Sequence, residues 1–278
     1  MIKPYFAEKD FILYHGDILE VLNQFKDENF DLIFADPPYF LSNDGITCKS
    51  GKMVSVNKGK WDKSKGFEED INFTESWLRA CKRVLSKNGS IWISGTMHII
   101  YKLGYLLEKN GYDIINDIVM YKPNAPPNLS CKYFTHSHEI VLWARKSKNS
   151  LHTFNYEIMK TWNNPKDKLK KKDKQMRSVW SIPLLPHNEK EYGKHPTQKP
   201  LELLNRIISS SSKEGDCVLD PFVGSGTTGI VCSILNRKFI GIDSNKEYLE
   251  IAINRFRDKN KKELLFSPEA NNDLMKFI

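Results

Sequence analysis

Apolar positions along the chain switch between two periods. Short apolar runs at 11–14, 31–35, 90–94, 217–220 and 239–243 read as buried strands, and the stretches at 113–121 and 139–145 as further strands. Between them, apolar residues recur at three- and four-residue spacing. The set Phe73, Trp77, Leu78, Cys81, Val84 and Leu85 predicts a helix over 73–85, stopped by Lys87-Asn88-Gly89. Further helices are expected at 18–25, 99–107, 199–210 (with Pro200 near its start), 227–236 and 246–258. Strands alternating with helices of this length predict an α/β fold, a doubly wound, mostly parallel sheet. Two regions break the pattern. Residues 40–66 read as a long loop, and 122–194, rich in prolines, charges and scattered aromatics, as a second region set into the first.

Composition narrows the class. With 278 residues, 40% hydrophobic and 12% aromatic, the chain is expected to bury the core of one large α/β domain carrying an insertion. Five cysteines without CxxC or Cys/His ligand spacing favour free thiols in a reducing cytoplasm over a structural zinc site, so no metal is expected. The N-terminus is too polar for a signal peptide, and no apolar run reaches membrane-spanning length; a soluble intracellular protein without a membrane partner is expected. The net charge is +8, and residues 145–177 alone hold eleven Lys/Arg against three acids, a net charge as large as that of the whole chain. Such a concentration fits a polyanion contact, although the run at 166–174 taken alone reads equally well as a solvated loop.

Two motifs carry chemistry. Asp36-Pro37-Pro38-Tyr39 follows the apolar run 31–35, at the C-terminal end of its strand. The prolines remove two backbone donors and fix φ, so carbonyls are left to accept. The carboxylate and a carbonyl suit the two hydrogens of an amino group, and the tyrosine ring offers a stacking face: a holder for a planar ring with an exocyclic amine. An Asp-Pro turn ending a strand is the plain alternative. The second motif is strand, glycine-rich turn and helix, Asp220-Pro221-Phe222-Val223-Gly224-Ser225-Gly226-Thr227-Thr228-Gly229, with the next strand ending at Asp243. Such a turn admits close ligand approach, and Asp243 suits ribose hydroxyls. Because Gly224, Gly226 and Gly229 also satisfy GxGxxG, a dinucleotide site stays open on this motif alone. A hydride-transfer enzyme has no use for an amine holder, whereas a methyl donor paired with an amine gives one coherent reaction.

With both motifs in view, the chain resembles the amino-group DNA methyltransferases of restriction–modification systems. Its order, DPPY first and the donor turn last, is that of the circularly permuted β class. Supporting pieces are His15-Gly16-Asp17, Ser90-Ile91-Trp92-Ile93-Ser94-Gly95 and His195-Pro196-Thr197-Gln198-Lys199-Pro200. Phe40-Leu41-Ser42-Asn43, Asn124-Ala125-Pro126-Pro127-Asn128, Arg177-Ser178-Val179-Trp180 and the segment 195–200 are similar to the branch that modifies adenine in GATC or GANTC, and the run 128–136 is most like the GATC type that also accepts single-stranded DNA. The resemblance implies a catalytic domain over 1–121 and 195–262, a target-recognition insertion over 122–194 and a tail at 263–278. It implies S-adenosylmethionine as cofactor and DNA as partner. A cognate restriction endonuclease would be a system partner without required contact, and a homodimer is compatible with the family. Asp36, Pro37, Pro38 and Tyr39 would serve the target base. Asp17, Thr197, Lys199, Asp220, Phe222, Gly224, Ser225, Gly226, Thr227 and Asp243 would serve the donor: Asp17 its adenine amino group, Asp243 its ribose, Asp220 and Gly224 its methionine end, Thr197 and Lys199 the neighbourhood of its carboxylate.

Rival readings remain at this level. N4-cytosine methylation uses the same fold, but cytosine-directed relatives more usually carry serine where this chain has Asp36. Methylation of RNA or of a protein glutamine, a DNA-binding regulator on a decayed methyltransferase fold and an oxidoreductase fit less well. Trp92, Trp143 and Trp180 are expected in the core, and His136 and His138 in solvent.

Overall fold

The computed structural model describes residues 2–42, 46–49, 52–55, 59–162, 174, 176–185, 192–193 and 195–258. Most of the lysine run at 166–174 and the tail lie outside them. Nine strands form one sheet in the order β1-β2-β11-β10-β3-β6-β8-β7-β9: β1 (Phe6–Glu8), β2 (Phe11–His15), β3 (Phe30–Ala35), β6 (Leu85–Gly95), β7 (Asp113–Tyr121), β8 (His138–Arg145), β9 (Val179–Ser181), β10 (Cys217–Asp220) and β11 (Lys238–Asp243). A two-stranded hairpin, β4 (Ile46–Lys49) and β5 (Lys52–Ser55), stands apart, inside the stretch expected to be loop. The five strands β2, β11, β10, β3 and β6 run parallel, while β8 is antiparallel to both β6 and β7.

Alternation along the strands loads both faces. In β3, Leu32 and Phe34 join one core with Phe11, Trp92 and Val218, whereas Phe30, Ile33 and Ala35 join the other with Trp77, Leu78 and Ile93. Helices α5 (Leu201–Ser211), α6 (Thr227–Ile234) and α7 (Lys246–Arg257) contribute to the first core, and α1 (Ile18–Leu22), α2 (Phe67–Val84) and α3 (Ile100–Lys109) to the second, giving three layers. Helix α4 (Tyr156–Thr161) packs against α5. Gly229 is fixed by this packing, since a Cβ there would stand 2.4 Å from Phe11 and Phe239 ring carbons. The three tryptophans are core residues, as expected: Trp92 stacks on Trp143 with centroids 4.8 Å apart, and Trp180 tilts against it at 6.0 Å.

Three expectations need correction. Helix α2 begins at Phe67, six residues before the apolar stripe, because Glu68, Glu69 and Asp70 favour its N-terminal dipole and Ser64 and the Lys65 amide donate to Asp70. The Lys87-Asn88-Gly89 stop lies within β6, where a Cβ at Gly89 would meet Leu85 carbons at 2.6 and 2.8 Å, so the glycine permits close packing there. Finally, a boundary at residue 122 cuts through the sheet. Strand β8 pairs with β6 and β7, so part of 122–194 belongs structurally to the catalytic sheet. Among the described residues, no helix is long and apolar enough to cross a membrane.

Candidate active site

Parallel pairing of β3 with β6 and with β10 brings their C-terminal ends together, which places Asp36, Ser94 and Asp220 side by side. A cavity of about 1090 Å³ opens there, and Asp17, Asp36, Pro38, Thr197, Phe222, Gly224 and Asp243 of the expected site residues line it. Lys199, Asp220, Ser225 and Thr227 line a smaller adjoining pocket that shares Asp36, His195, Thr197, Phe222 and Gly224 with it.

On the target side, the Asp36 carboxylate is held by three donors. Tyr39 Oη donates to Oδ1 at 2.6 Å, Ser94 Oγ lies 3.1 Å from the same atom, and Lys199 Nζ donates to Oδ2 at 2.6 Å. Lys199 also reaches Tyr39 Oη at 3.2 Å. Burial alone would weaken the Lys199 ammonium, but the charges of Asp36 and Glu139 outweigh it and raise its pKa. Burial, then the same two carboxylates, holds the Tyr39 phenol well above its ordinary range. Both groups therefore stay protonated and donate. Pro37 and Pro38 are buried, and among the described residues nothing donates to the Pro37 carbonyl. One sequence expectation changes here. Tyr39 is only 5% exposed, so its ring is part of the core and offers no open stacking face in this conformation. Lys199 pairs with Asp36 at hydrogen-bonding distance and lines the smaller pocket with Thr197 and Gly224.

Asp62 is the main residue the sequence reading missed. It is fully buried, and its carboxylate accepts from Tyr39 N at 2.8 Å, Phe40 N at 2.9 Å, Leu41 N at 3.2 Å and Ser42 Oγ at 2.8 Å. These bonds tie the chain after Asp36 to the segment that brings Trp61, Lys63 and Lys65 to the cavity wall. Four donors satisfy a buried carboxylate without a cation. The only sequence signal was a Trp-Asp pair inside a stretch read as loop.

The donor side is built on the glycine turn. Gly224 (φ +48°) and Gly226 (φ +77°) adopt left-handed backbone, where a side chain would be strained. A Cβ at Gly224 would also stand 2.8 Å from His195 Nε2, and one at Gly226 2.6 Å from the Ala252 Cβ. Asp243 accepts from Gly224 N at 2.9 Å and from Asn245 N at 2.8 Å, one bond per oxygen, and burial raises its pKa. Asp17 caps α1 through a single oxygen, accepting from Leu19 N and Glu20 N. His195 forms an aromatic wall with Tyr248, at 4.2 Å between centroids, and Trp61, at 6.5 Å. Burial lowers its pKa to about 4, so the ring is neutral at neutral pH. Thr197 lines the cavity beside it.

Ser225 and Thr227, expected at the donor, line the smaller pocket and are held from within. Buried Arg255 donates through Nη1 to Ser225 O at 2.6 Å, Ser225 Oγ at 2.9 Å and Thr227 Oγ1 at 2.9 Å, so these residues brace the turn from behind. Asp220 is likewise internal. It accepts from Phe222 N and Thr228 Oγ1, and burial pushes its pKa up to about 7 despite those bonds.

These residues fit S-adenosylmethionine. Asp17 and Asp243 keep acceptor capacity toward the cavity for an amine and for hydroxyls, and Phe222, Ile242 and Tyr248 supply apolar wall for a purine. The glycine turn keeps space clear of side chains.

Comparison with known proteins agrees. A family model described as DNA methylase matches residues 30–254. The chain is 52% identical over 262 residues to the Type II methyltransferase M2.DpnII of Streptococcus pneumoniae, covering 94% of this chain and 95% of that protein. It is 48% identical to the Type II methyltransferase M2.MboI of Moraxella bovis, covering 92% of each. Among solved structures, the M1.HpyAVI–SAM complex aligns with a TM-score of 0.64 at 29% identity, over 87% of this chain and 97% of that one. The PvuII DNA methyltransferase (cytosine-N4-specific) aligns with a TM-score of 0.71 at 20% identity, over 93% and 90%, a likeness of fold alone.

Proposed function

The chain belongs to the DNA methylase family, and from that premise we propose that it methylates N6 of a flipped-out adenine, with GATC as the target and single-stranded DNA as a further substrate. It is a site-specific DNA methyltransferase that uses S-adenosylmethionine, which supplies an electrophilic methyl group. The observation that carries the adenine reading is Asp36, a carboxylate held at the cavity edge by Tyr39, Ser94 and Lys199.

Adenine N6 is a poor nucleophile, because its lone pair is delocalised into the ring. Accepting its two hydrogens, one at Asp36 and one at the Pro37 carbonyl, draws density back to nitrogen and orients it for transfer. The donors around Asp36 prepare this acceptor before the base arrives, so little reorganisation remains for the reaction itself. Lys199 compensates the buried charge while the amine site is empty, and yields part of Oδ2 to the amine. N6 keeps both hydrogens until it has taken the methyl group from the donor sulfur, and would then release one proton to Asp36 and on to solvent, so no strong base is required. Gly224, Asp243, Asp17, Phe222 and Thr197 hold the donor, and Asp62 keeps the backbone after Asp36 in register with the donor wall. Asp36 in place of serine favours adenine over N4-cytosine. A cognate endonuclease belongs to the same proposal, supported by the description of the relatives as Type II methyltransferases.

The test is direct. DNA containing GATC sites is incubated with labelled S-adenosylmethionine and hydrolysed to nucleosides. Label in N6-methyl-2′-deoxyadenosine that disappears when GATC is changed to GTTC supports the proposal. Label in N4-methyl-2′-deoxycytidine, or transfer indifferent to the GATC change, refutes the base or the sequence respectively.

A further inference from the structure

Phe134 is 96% exposed, more than any other large apolar side chain among the described residues, and Tyr133 beside it is 59% exposed. The loop that carries them is well tied. Asn128 Nδ2 donates to Tyr133 O at 2.6 Å, Asn128 Oδ1 accepts from Ser130 N at 3.0 Å and Ser130 Oγ at 2.8 Å, and Thr135 Oγ1 accepts from Asn128 N at 3.2 Å. An apolar ring held in water on a braced loop is a surface made for a contact.

Its place in the fold identifies the contact. The loop runs into β8, whose Ile140 pairs with Gly95 at the end of β6, next to the Ser94 that bonds Asp36. At the same edge, His136 of the loop lies 6.4 Å from His98, which follows β6. Glu139, three residues past the loop's Tyr133–His136 contact, is close enough to act on both Tyr39 and Lys199. The loop that carries the exposed ring therefore leads into the strand beside the holder of the target amine.

We infer that Phe134 is a positioning residue that enters the base stack of duplex DNA and fills the gap left by the flipped base. This rests on the proposed extrusion of the target base. Tyr39 is buried and hydrogen-bonded, so the protein needs another aromatic group to offset the lost stacking, and a flat apolar ring substitutes for a base irrespective of sequence. Lys132, next to the two rings, is placed for the flanking phosphates.

The experiment compares kcat/KM of the full-length wild type, Phe134→Ala and Phe134→Trp on two substrates. One is a duplex the wild type methylates; the other is the same duplex with an abasic site opposite the target, where no orphaned partner base remains. Phe134→Ala is expected to lose about 30-fold on the first and less than about threefold on the second, with Phe134→Trp near wild type on both. Circular dichroism and donor affinity should match wild type for both variants. A Phe134→Ala loss below about twofold on the normal duplex overturns the inference, as does an equal loss on both substrates. Which base carries the methyl group is read from the wild type alone, so failure here is distinct from failure of the adenine reading.

Discussion

Asp36 and Asp220 stand at the C-terminal ends of neighbouring parallel strands, and each is followed by proline, yet the fold puts them to opposite uses. Asp36 edges the cavity and is matched by the Lys199 ammonium at 2.6 Å, an arrangement that suits the proposed acceptor of an amine. Asp220 is 2% exposed and meets only neutral donors, and burial raises its pKa to about 7. The same dipeptide at the end of a parallel strand faces the large cavity with a cation in one case and is enclosed by neutral donors in the other. What separates them is a cation and an opening to solvent, neither of which is encoded next to the aspartate in sequence.

The largest break in this comparison is expected on the donor side. Asp243→Ala should weaken S-adenosylmethionine binding by about 100-fold, since a charged acceptor is lost from a partly buried site, while DNA affinity stays within about threefold. Titration calorimetry reads the first and filter binding the second. Asp62→Ala comes next. It leaves three backbone amides of the 39–42 segment without their acceptor, so kcat should fall roughly 10- to 100-fold and stability by about 3 kcal/mol in urea unfolding. Wild-type kcat in that variant would mean that the latch does not position Asp36. Lys199→Met removes the ion-pair partner of Asp36, so kcat should fall about tenfold while donor affinity stays within about threefold. A raised KM for the donor with kcat intact would restore Lys199 to the donor.

The smallest effect concerns Asp220. Its folded-state pKa of about 7 lies above the ordinary carboxylate value of 3.8, so between these limits the folded protein binds the proton more tightly than the unfolded chain. This group therefore stabilises the fold at low pH, and the contribution is lost as pH rises from about 4 to 7. Asp220→Asn removes that dependence. The urea midpoint of the variant should gain on wild type between pH 5 and pH 8, with donor affinity nearly unchanged. A parallel pH dependence in both proteins would show that Asp220 does not titrate in this range.

Much of the site was legible because its signals are local. The apolar run ending at Asp36 and the glycine turn before α6 announce strand ends and close approach by themselves, and helix and strand periods place them in one α/β sheet. The partners of those motifs were not legible, because they arrive from far along the chain. Lys199 meets Asp36 across 163 residues, and Arg255 reaches Ser225 across 30. Asp62 lay in a stretch without periodicity, and its role appears only when four donors from 39–42 converge on it. Ser225 and Thr227 show the same limit: the sequence shows hydroxyls in a glycine-rich turn, and only the fold shows the buried arginine that bonds to both.

The most direct measurement sets donor binding against methyl transfer in wild type and Asp36→Ala, using the same DNA and the same labelled S-adenosylmethionine. The division of the site predicts that Asp36→Ala binds the donor within about threefold of wild type and transfers methyl at least 1000-fold more slowly in a single turnover. Transfer at the wild-type rate, or a loss of donor binding that accounts for the whole defect, would contradict it.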